Sequence, residues 1–282
     1  SNSPSSYELI ITSKNDFDLR NRSLCLDKIF FYKPDWIINC GAYTKVDKAE
    51  GYPDLAFSIN ADSVRFISDA LKKISGNLLQ ISTDYVFDGQ SKKPYQEDFP
   101  ISPINKYGES KAYGEDAIRK IYGETNNYAI VRTSWLMGPH KNNFLKTMLD
   151  LHAKKNEFSV VSDQFGSLTS TSTLGKACLK MIFNYEKVIN KKKVSNIFHY
   201  CDEGIVSWHE IASEIGYIAS EIGLIKKPAK VTPIKSSQFP TLAKRPLYSV
   251  LDSRKIHHLF DIEKVFWKDS LKRILINILE QK

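Results

Sequence analysis

Long apolar segments, paired cysteines and glycine-rich turns are scarce in this sequence of 282 residues. No apolar run approaches the ~18 residues that a membrane-spanning helix requires, and the start SNSPSSYELI lacks the basic and then apolar layout of a secretory signal. The four cysteines lie far apart without a CxxC pair, which is typical of reduced, mostly buried thiols. We therefore predict a cytoplasmic protein with no membrane segment.

A metal site is not predicted either. His209 and Glu210 begin the HExxH pattern of zinc enzymes, but Ser213 occupies the position of the second histidine. The formal net charge of +8 has two interpretations, nucleic-acid binding and a solvated basic surface. Because the lysines are scattered and no arginine-aromatic motif accompanies them, we predict a solvated surface and no nucleic-acid partner. Such a surface also attracts small polyanions such as nucleotides.

Apolar strands alternate with amphipathic helices in the first half of the chain, a pattern typical of a doubly wound α/β fold with a parallel sheet. The second half has longer polar connections, which favours a smaller substrate domain. We predict that residues 1–155 form a dinucleotide-binding domain that also receives 171–200, and that 156–282 mainly bind substrate. The predicted strands are 8–12, 36–40, 77–82, 128–133 and 230–234, and the predicted helices are 24–32, 53–75, 105–122, 142–155, 171–185, 207–222 and 266–279.

Polar side chains follow three of these strands, in segments 39–42, 82–85 and 132–135. Ligands of doubly wound sheets bind at the carboxyl ends of the strands, so these segments should face one crevice. In the predicted helix that follows the second segment, Tyr107 and Lys111 are four residues apart and lie on one face. A nearby ammonium lowers the pKa of a phenol from its usual value of about 10. We expect Tyr107 to exchange protons, with Thr83 as a further hydrogen-bond donor.

The sequence resembles a known family at this point. Segment 82–89 (STDYVFDG), followed by YGESK at 107–111, resembles the extended short-chain dehydrogenases/reductases. Five further motifs resemble the dTDP-4-dehydrorhamnose reductases in particular, and they occur in a consistent order. These are TKVDKAE at 44–50, RTSW at 132–135, NNF at 142–144, DQFG at 163–166 and RP at 245–246.

The resemblance implies roles for individual residues. Tyr107 protonates the C4 oxygen of the sugar, Lys111 lowers the tyrosine's pKa and binds the nicotinamide ribose, and Thr83 orients the ketone. The cofactor is expected to contact Asp18 and Leu19 beside the adenine, the small run Cys40, Gly41 and Ala42, and Ser82. The nucleotide sugar is expected to contact Thr44, Val46, Tyr85 and Trp135 at the sugar end, and Gln164, Thr169 and Arg245 at the diphosphate.

Several of these residues also have a purely structural interpretation. Asp18, like Asn60, is suited to capping or bracing a helix, and Trp135 to packing in the core. Gln164 and Thr169 are suited to shaping a loop. Lys14 lies near the end of the first predicted strand, where an acid usually selects NAD. Its ammonium predicts a preference for NADPH, although a Lys14 that points to solvent would leave NADH equally acceptable.

The sequence departs from the family pattern at its start. Rossmann-type reductases open with a strand and a glycine-rich turn that holds the pyrophosphate, and no GxxGxxG occurs among the residues given. Two explanations compete. In the first, the sequence omits an N-terminal segment of roughly 20 residues, which is the length of one strand, turn and helix. In the second, the chain is a relative that no longer binds cofactor. The intact catalytic motifs favour the first.

We therefore predict NADPH-dependent reduction of a nucleotide-linked 4-keto-6-deoxy sugar, most specifically dTDP-4-dehydro-L-rhamnose. The alternatives are a reductase of another dTDP-deoxysugar and a non-catalytic regulatory relative. The oligomeric state stays open, a homodimer included.

Overall fold

The computed structural model describes residues 7–192 and 194–281. In this part of the chain the strands are β1 (Trp36–Asn39), β2 (Asn77–Thr83), β3 (Tyr128–Thr133), β4 (Leu136–Met137), β5 (Glu157–Val161), β6 (Phe165–Gly166), β7 (Thr169–Ser170), β8 (Ile197–His199), β9 (Val206–Ser207) and β10 (Lys230–Ile234). The main sheet has four parallel strands in the order β1-β2-β3-β8. Three small two-stranded pairings, β10-β5, β4-β7 and β6-β9, lie outside it.

The predicted helices are all present, with ends shifted by a few residues. The helix predicted over 53–75 is interrupted by a π-helical turn at Ser58–Asp62, and the one predicted over 171–185 is longer. The α-helices of the described residues are α1 (Arg22–Tyr32), α2 (Val46–Gly51), α3 (Pro53–Phe57), α4 (Ser63–Lys73), α5 (Lys106–Tyr122), α6 (Phe144–Lys154), α7 (Thr171–Lys192), α8 (Trp208–Glu221), α9 (Arg254–Phe260) and α10 (Trp267–Glu280). Two of them, the short α2 and α9, were not predicted.

The parallel sheet is covered on both faces, which confirms the doubly wound α/β class. Side chains of α1, α4 and α5 form an apolar cluster on one face, around Ile67 and Leu78. Side chains of α7 and α9 form another on the opposite face, around Met181 and Phe198. All six residues of β3 are buried, as expected for a central strand covered on both faces.

The strand predicted over 8–12 is wrong in this structure. These residues belong to no strand, and their side chains are exposed, Ile11 to 84%. Residues 8–12 pair with no strand of the described residues, and the outer edge of β1 is also unpaired there. A strand-like composition does not by itself provide a pairing partner. An extended segment without a neighbouring strand leaves its backbone N–H and C=O groups without inter-strand hydrogen bonds. Residues 1–6 lie outside the described part of the chain.

A second apolar core lies away from the main sheet. It joins α6, α8 and α10 with the small sheet of β5 and β10. Of the four cysteines, three are buried and Cys40 is exposed, and all are unpaired. No helix of the described residues is long and apolar enough to cross a membrane.

Candidate active site

The three polar strand ends lie at one edge of the sheet. The register pairs Asn39 with Gln80 and Thr83 with Thr133, so the carboxyl ends of β1, β2 and β3 lie side by side. The side-chain amide of Asn39 donates to Gln80 Oε1 at 2.8 Å, which ties the first two ends together. The expected crevice is therefore built by the parallel register.

Thr83, Tyr107 and Lys111 meet at this edge, as the sequence predicts. The Thr83 hydroxyl lies near the Tyr107 phenol and acts on the pKa of that phenol. One turn further along α5, Lys111 is only 4% exposed, and its ammonium donates to the backbone oxygen of Ile81 at 2.7 Å. Helix α5 thus places the phenol of Tyr107 and the ammonium of Lys111 beside the end of β2.

The start of α5 is held firmly against the strand end. Asn105 caps the helix, because its side-chain oxygen accepts from Gly108 N at 2.8 Å. Its side-chain amide donates to Lys244 O at 2.8 Å. A Cβ at Gly108 would collide with the backbone oxygen of Tyr85, so only glycine permits this approach. The backbone around Tyr107 is therefore tightly positioned.

The electrostatics of this pair differ from the expectation. Burial raises the pKa of Tyr107 above its usual range, and the neighbouring Thr83 hydroxyl only partly offsets the rise. Burial also lowers the pKa of Lys111 to about 8, although the Glu115 carboxylate and the Cys40 thiol oppose this. The lowering of the Tyr107 pKa by Lys111 stays a prediction.

A buried ion pair behind Lys111 was missed by the sequence analysis. Arg132 and Glu115 are 1% and 0% exposed, and Arg132 Nη2 donates to Glu115 Oε2 at 2.7 Å while Nε donates to Oε1 at 3.0 Å. Ser82 Oγ donates to the same carboxylate at 2.6 Å. The available signal was the spacing, since Glu115 follows Lys111 by four residues on one helix face.

Residues predicted to hold the cofactor line the end of β1. Cys40 is exposed, and a Cβ at the neighbouring Gly41 would lie 2.7 Å from Leu19 Cδ1, so the glycine lets Leu19 pack closely against this run. Contact of these residues with a cofactor stays a prediction. Asn60 braces the following loop, accepting from Tyr43 N at 2.8 Å and donating to Ser110 Oγ at 2.9 Å. Ala42, in the same loop, is half-buried. These residues therefore lie together next to the end of β1.

The predicted adenine end shows a bracing role. Arg20 binds both carboxylate oxygens of Asp18, with Nη2 to Oδ2 at 2.6 Å, and these hydrogen bonds hold the pKa of Asp18 below its ordinary range. Lys14 is exposed on a turn nearby, and Asp16 accepts from Ser13 in that turn, as expected for a loop position. Contact of Asp18 and Lys14 with a cofactor stays a prediction.

The predicted substrate residues differ in how far they are exposed. Thr44 is exposed, Val46 is half-buried at the start of α2, and Trp135 has a positive φ of 42° and stacks on Trp208 with ring centroids 3.7 Å apart. Thr169 is fully buried and accepts from Thr133 Oγ1 at 3.2 Å, so it shapes the strand end. Gln164, 7% exposed, is also mostly enclosed.

Arg245 reaches the crevice from the C-terminal half. Its Nη2 donates to Asp47 Oδ2 at 2.6 Å, and its Nη1 lies 3.5 Å from the hydroxyl of Tyr85. Asp47 also accepts from Ala243 N at 3.2 Å. Asp47 therefore orients Arg245, a role the sequence analysis did not assign.

The sequence of this chain matches one family of reductases. A family model described as the RmlD substrate binding domain matches residues 1–279. A dTDP-4-dehydrorhamnose reductase of Aggregatibacter actinomycetemcomitans is 35% identical over 269 residues, 95% of this chain and 90% of that protein. The chain belongs to the dTDP-4-dehydrorhamnose reductase family. Its relatives also include the spore coat polysaccharide biosynthesis protein SpsK of Bacillus subtilis, 34% identical over 95% of this chain and 88% of that protein.

Solved structures of this reductase family superpose closely on the chain. A dTDP-4-dehydrorhamnose reductase from Bacillus anthracis in complex with NADP gives a TM-score of 0.86 at 35% identity, covering 98% of this chain and 92% of that one. A UDP-galactose 4-epimerase gives a TM-score of 0.73 at 16% identity, over 94% of this chain and 83% of that one. The second likeness shows a shared fold and nothing more.

Proposed function

We infer that this chain is an NADPH-dependent oxidoreductase that reduces the 4-keto group of dTDP-4-dehydro-L-rhamnose to give dTDP-L-rhamnose. The observation that carries the inference is the meeting of Thr83, Tyr107 and Lys111 at the carboxyl edge of the sheet, in a chain of this reductase family. Cytoplasmic location and a homodimer stay predictions, as does the division into domains at residue 155.

The residues present fit the nicotinamide end of the cofactor. Lys111 is buried near the Cys40 thiol, and Cys40 and Gly41 are exposed, so a ribose hydroxyl bound there can accept from its ammonium. When bound, NADPH supplies the hydride that reduces the ketone carbon. Tyr107 gives its proton to the ketone oxygen as negative charge develops there, and Thr83 lies close enough to the phenol to share that oxygen.

The decisive experiment is an assay of full-length enzyme with dTDP-4-dehydro-L-rhamnose. We expect NADPH absorbance to fall and dTDP-L-rhamnose to appear in equal amount by chromatography. Faster turnover of another dTDP-linked 4-keto sugar would move the substrate assignment to that sugar. NADPH binding, followed by tryptophan fluorescence, without turnover of any such sugar would instead identify a non-catalytic relative.

Arg245 should govern the affinity for the nucleotide diphosphate. Replacing it with alanine removes a bidentate phosphate donor and leaves Asp47 unpaired near the phosphates, so KM should rise by about tenfold or more with little change in kcat. The double variant Arg245→Ala, Asp47→Ala should recover part of this loss because the repelling carboxylate is gone. An unchanged KM in Arg245→Ala would remove Arg245 from the diphosphate site.

Lys14 should set the preference between the two nicotinamide cofactors. An exposed ammonium near the ribose attracts the 2′-phosphate, so Lys14→Ala should lower the ratio of kcat/KM for NADPH to that for NADH by roughly tenfold. The control is Lys92→Ala, which removes one exposed positive charge from the 91–93 loop. If the two variants behave alike, Lys14 points to solvent and does not select the cofactor.

A further inference from the structure

Asn105 uses both ends of its side chain at the start of α5. Its Oδ1 accepts from Gly108 N at 2.8 Å, and its Nδ2 donates to Lys244 O at 2.8 Å. These two partners fix the orientation of the amide, since only its oxygen can accept and only its nitrogen can donate. Serine and aspartate cap helices about as well as asparagine does. The cap therefore does not require an asparagine, whereas the bond to Lys244 requires the amide donor.

The bond from Asn105 joins two parts of the proposed site. Lys244 lies next to Arg245, the residue proposed to hold the diphosphate, in a segment (243–246) that belongs to no helix or strand. Asn105 is the cap of α5, which carries Tyr107 in its first turn. In the described part of the chain, no other hydrogen bond runs directly between 243–246 and α5. The distance between the diphosphate end and the proton donor is thus set at this bond.

An indirect connection between the same two parts runs through α2. Asp47 on this helix accepts from Arg245 Nη2, and Glu50 on the same helix accepts from Lys106 N at 2.8 Å. The side chains of Asp47 and Arg245 are 38% and 25% exposed, so water competes for their hydrogen bonds. Asn105 is only 7% exposed, and a buried hydrogen bond is costly to break. The direct bond is therefore the firmer of the two connections.

We propose that Asn105 is a positioning residue that couples the diphosphate-binding segment 243–246 to the helix that carries Tyr107, through the hydrogen bond from its amide to Lys244. The proposal rests on the proposed function, because it assumes that Arg245 binds the diphosphate and that Tyr107 protonates the sugar. Asn105 takes no part in proton transfer. A nucleotide that steadies 243–246 also steadies the start of α5, which holds the phenol in place against the sugar.

Two variants of the full-length enzyme remove the donor and keep the cap. Asn105→Ser is uncharged, and its oxygen lies about one bond short of the amide nitrogen. Asn105→Asp retains the volume of the side chain, and as a carboxylate it caps the helix but cannot donate. The serine variant leaves no charge and the aspartate variant leaves no cavity. An effect that both variants share is therefore due to the missing donor.

We expect kcat with NADPH and the 4-keto sugar to fall by about ten- to a hundredfold in both variants, because a small misplacement of the reacting groups has effects of this size. The KM for the sugar nucleotide and the Kd for dTDP should change little, since Arg245 and Asp47 are intact. A residue that serves only as a helix cap would leave kcat at the parental value in both variants. That result overturns the proposal.

The matched control is Asn196→Ser. Asn196 is 8% exposed, and its amide also donates to a backbone oxygen, Thr125 O, at 2.8 Å. This bond lies at the start of β8, at the end of the sheet opposite the candidate site. Asn196→Ser should therefore retain the parental kcat. An equal loss of kcat in this control would show a general loss of rigidity and would overturn the proposal.

Hydrogen exchange with mass spectrometry tests the coupling without turnover, with dTDP alone as the ligand. In the parent, dTDP should slow exchange in 243–248 and also in 106–112, the first two turns of α5. In Asn105→Ser it should slow exchange in 243–248 only. Protection of 106–112 that is absent in the parent, or that persists in the variant, overturns the proposal. A parent in which dTDP protects neither segment refutes the proposed function, and the proposal with it.

Discussion

Tyr107→Phe is expected to lower kcat by a factor of about 10² to 10⁴, the usual cost of losing a general acid. The ring and its T-shaped contact with Tyr85, at 5.8 Å between centroids, are retained, so the fold should be unaffected. NADPH affinity should barely change, because the phenolic hydroxyl mainly serves the substrate. Steady-state kinetics and a fluorescence titration with NADPH separate these two quantities.

The matched control for this variant lies on the same helix. Tyr113 is 57% exposed and packs edge-on against Phe57, away from the strand ends. Tyr113→Phe should therefore retain parental kcat and KM. A Tyr107→Phe enzyme that turns over at near the parental rate would show that another group protonates the sugar.

Glu115→Ala is expected to lower the free energy of unfolding by about 3–5 kcal/mol, because it leaves the Arg132 guanidinium buried without its counter-charge. Arg132 Nη1 also donates to Glu97 O at 3.2 Å and lies 3.3 Å from His199 Nε2, so the charge cannot reach water by a small shift. Urea unfolding of the parent and the variant measures the difference.

Two further variants make this prediction specific. Asp116→Ala, which removes the next acid along α5, breaks only exposed pairs with Lys120 and Arg119 and should hardly change stability. Replacing Glu115 and Arg132 together with leucine and methionine should cost less than Glu115→Ala, since no charge is then left unpaired. If Glu115→Ala lowers the free energy of unfolding by less than about 1 kcal/mol, the Arg132 charge is solvated by groups other than Glu115.

Much of the fold could be predicted because its signals are local. Apolar runs of strand length, helical periodicity and the Asn105 cap lie within a few residues of the elements that they specify. The short strands β4, β5, β6, β7, β8 and β9 were missed. All three residues of β8 are buried, and their burial depends on partners that are distant in sequence. The stretch at 8–12 has a strand-like composition, yet it pairs with no strand of the described residues, because pairing depends on contacts that composition does not specify.

The sequence by itself determined the reductase motifs: Tyr107 and Lys111 at helical spacing, Thr83 at a strand end, and the order of motifs that identifies the family. Only the tertiary structure decided how these groups are supported. It placed the Glu115–Arg132 pair behind Lys111, Asp47 beside Arg245 and the backbone oxygen of Lys244 beside the amide of Asn105. Each of these depends on burial and on contacts between elements far apart in sequence, and a pKa or an ion pair follows from that environment.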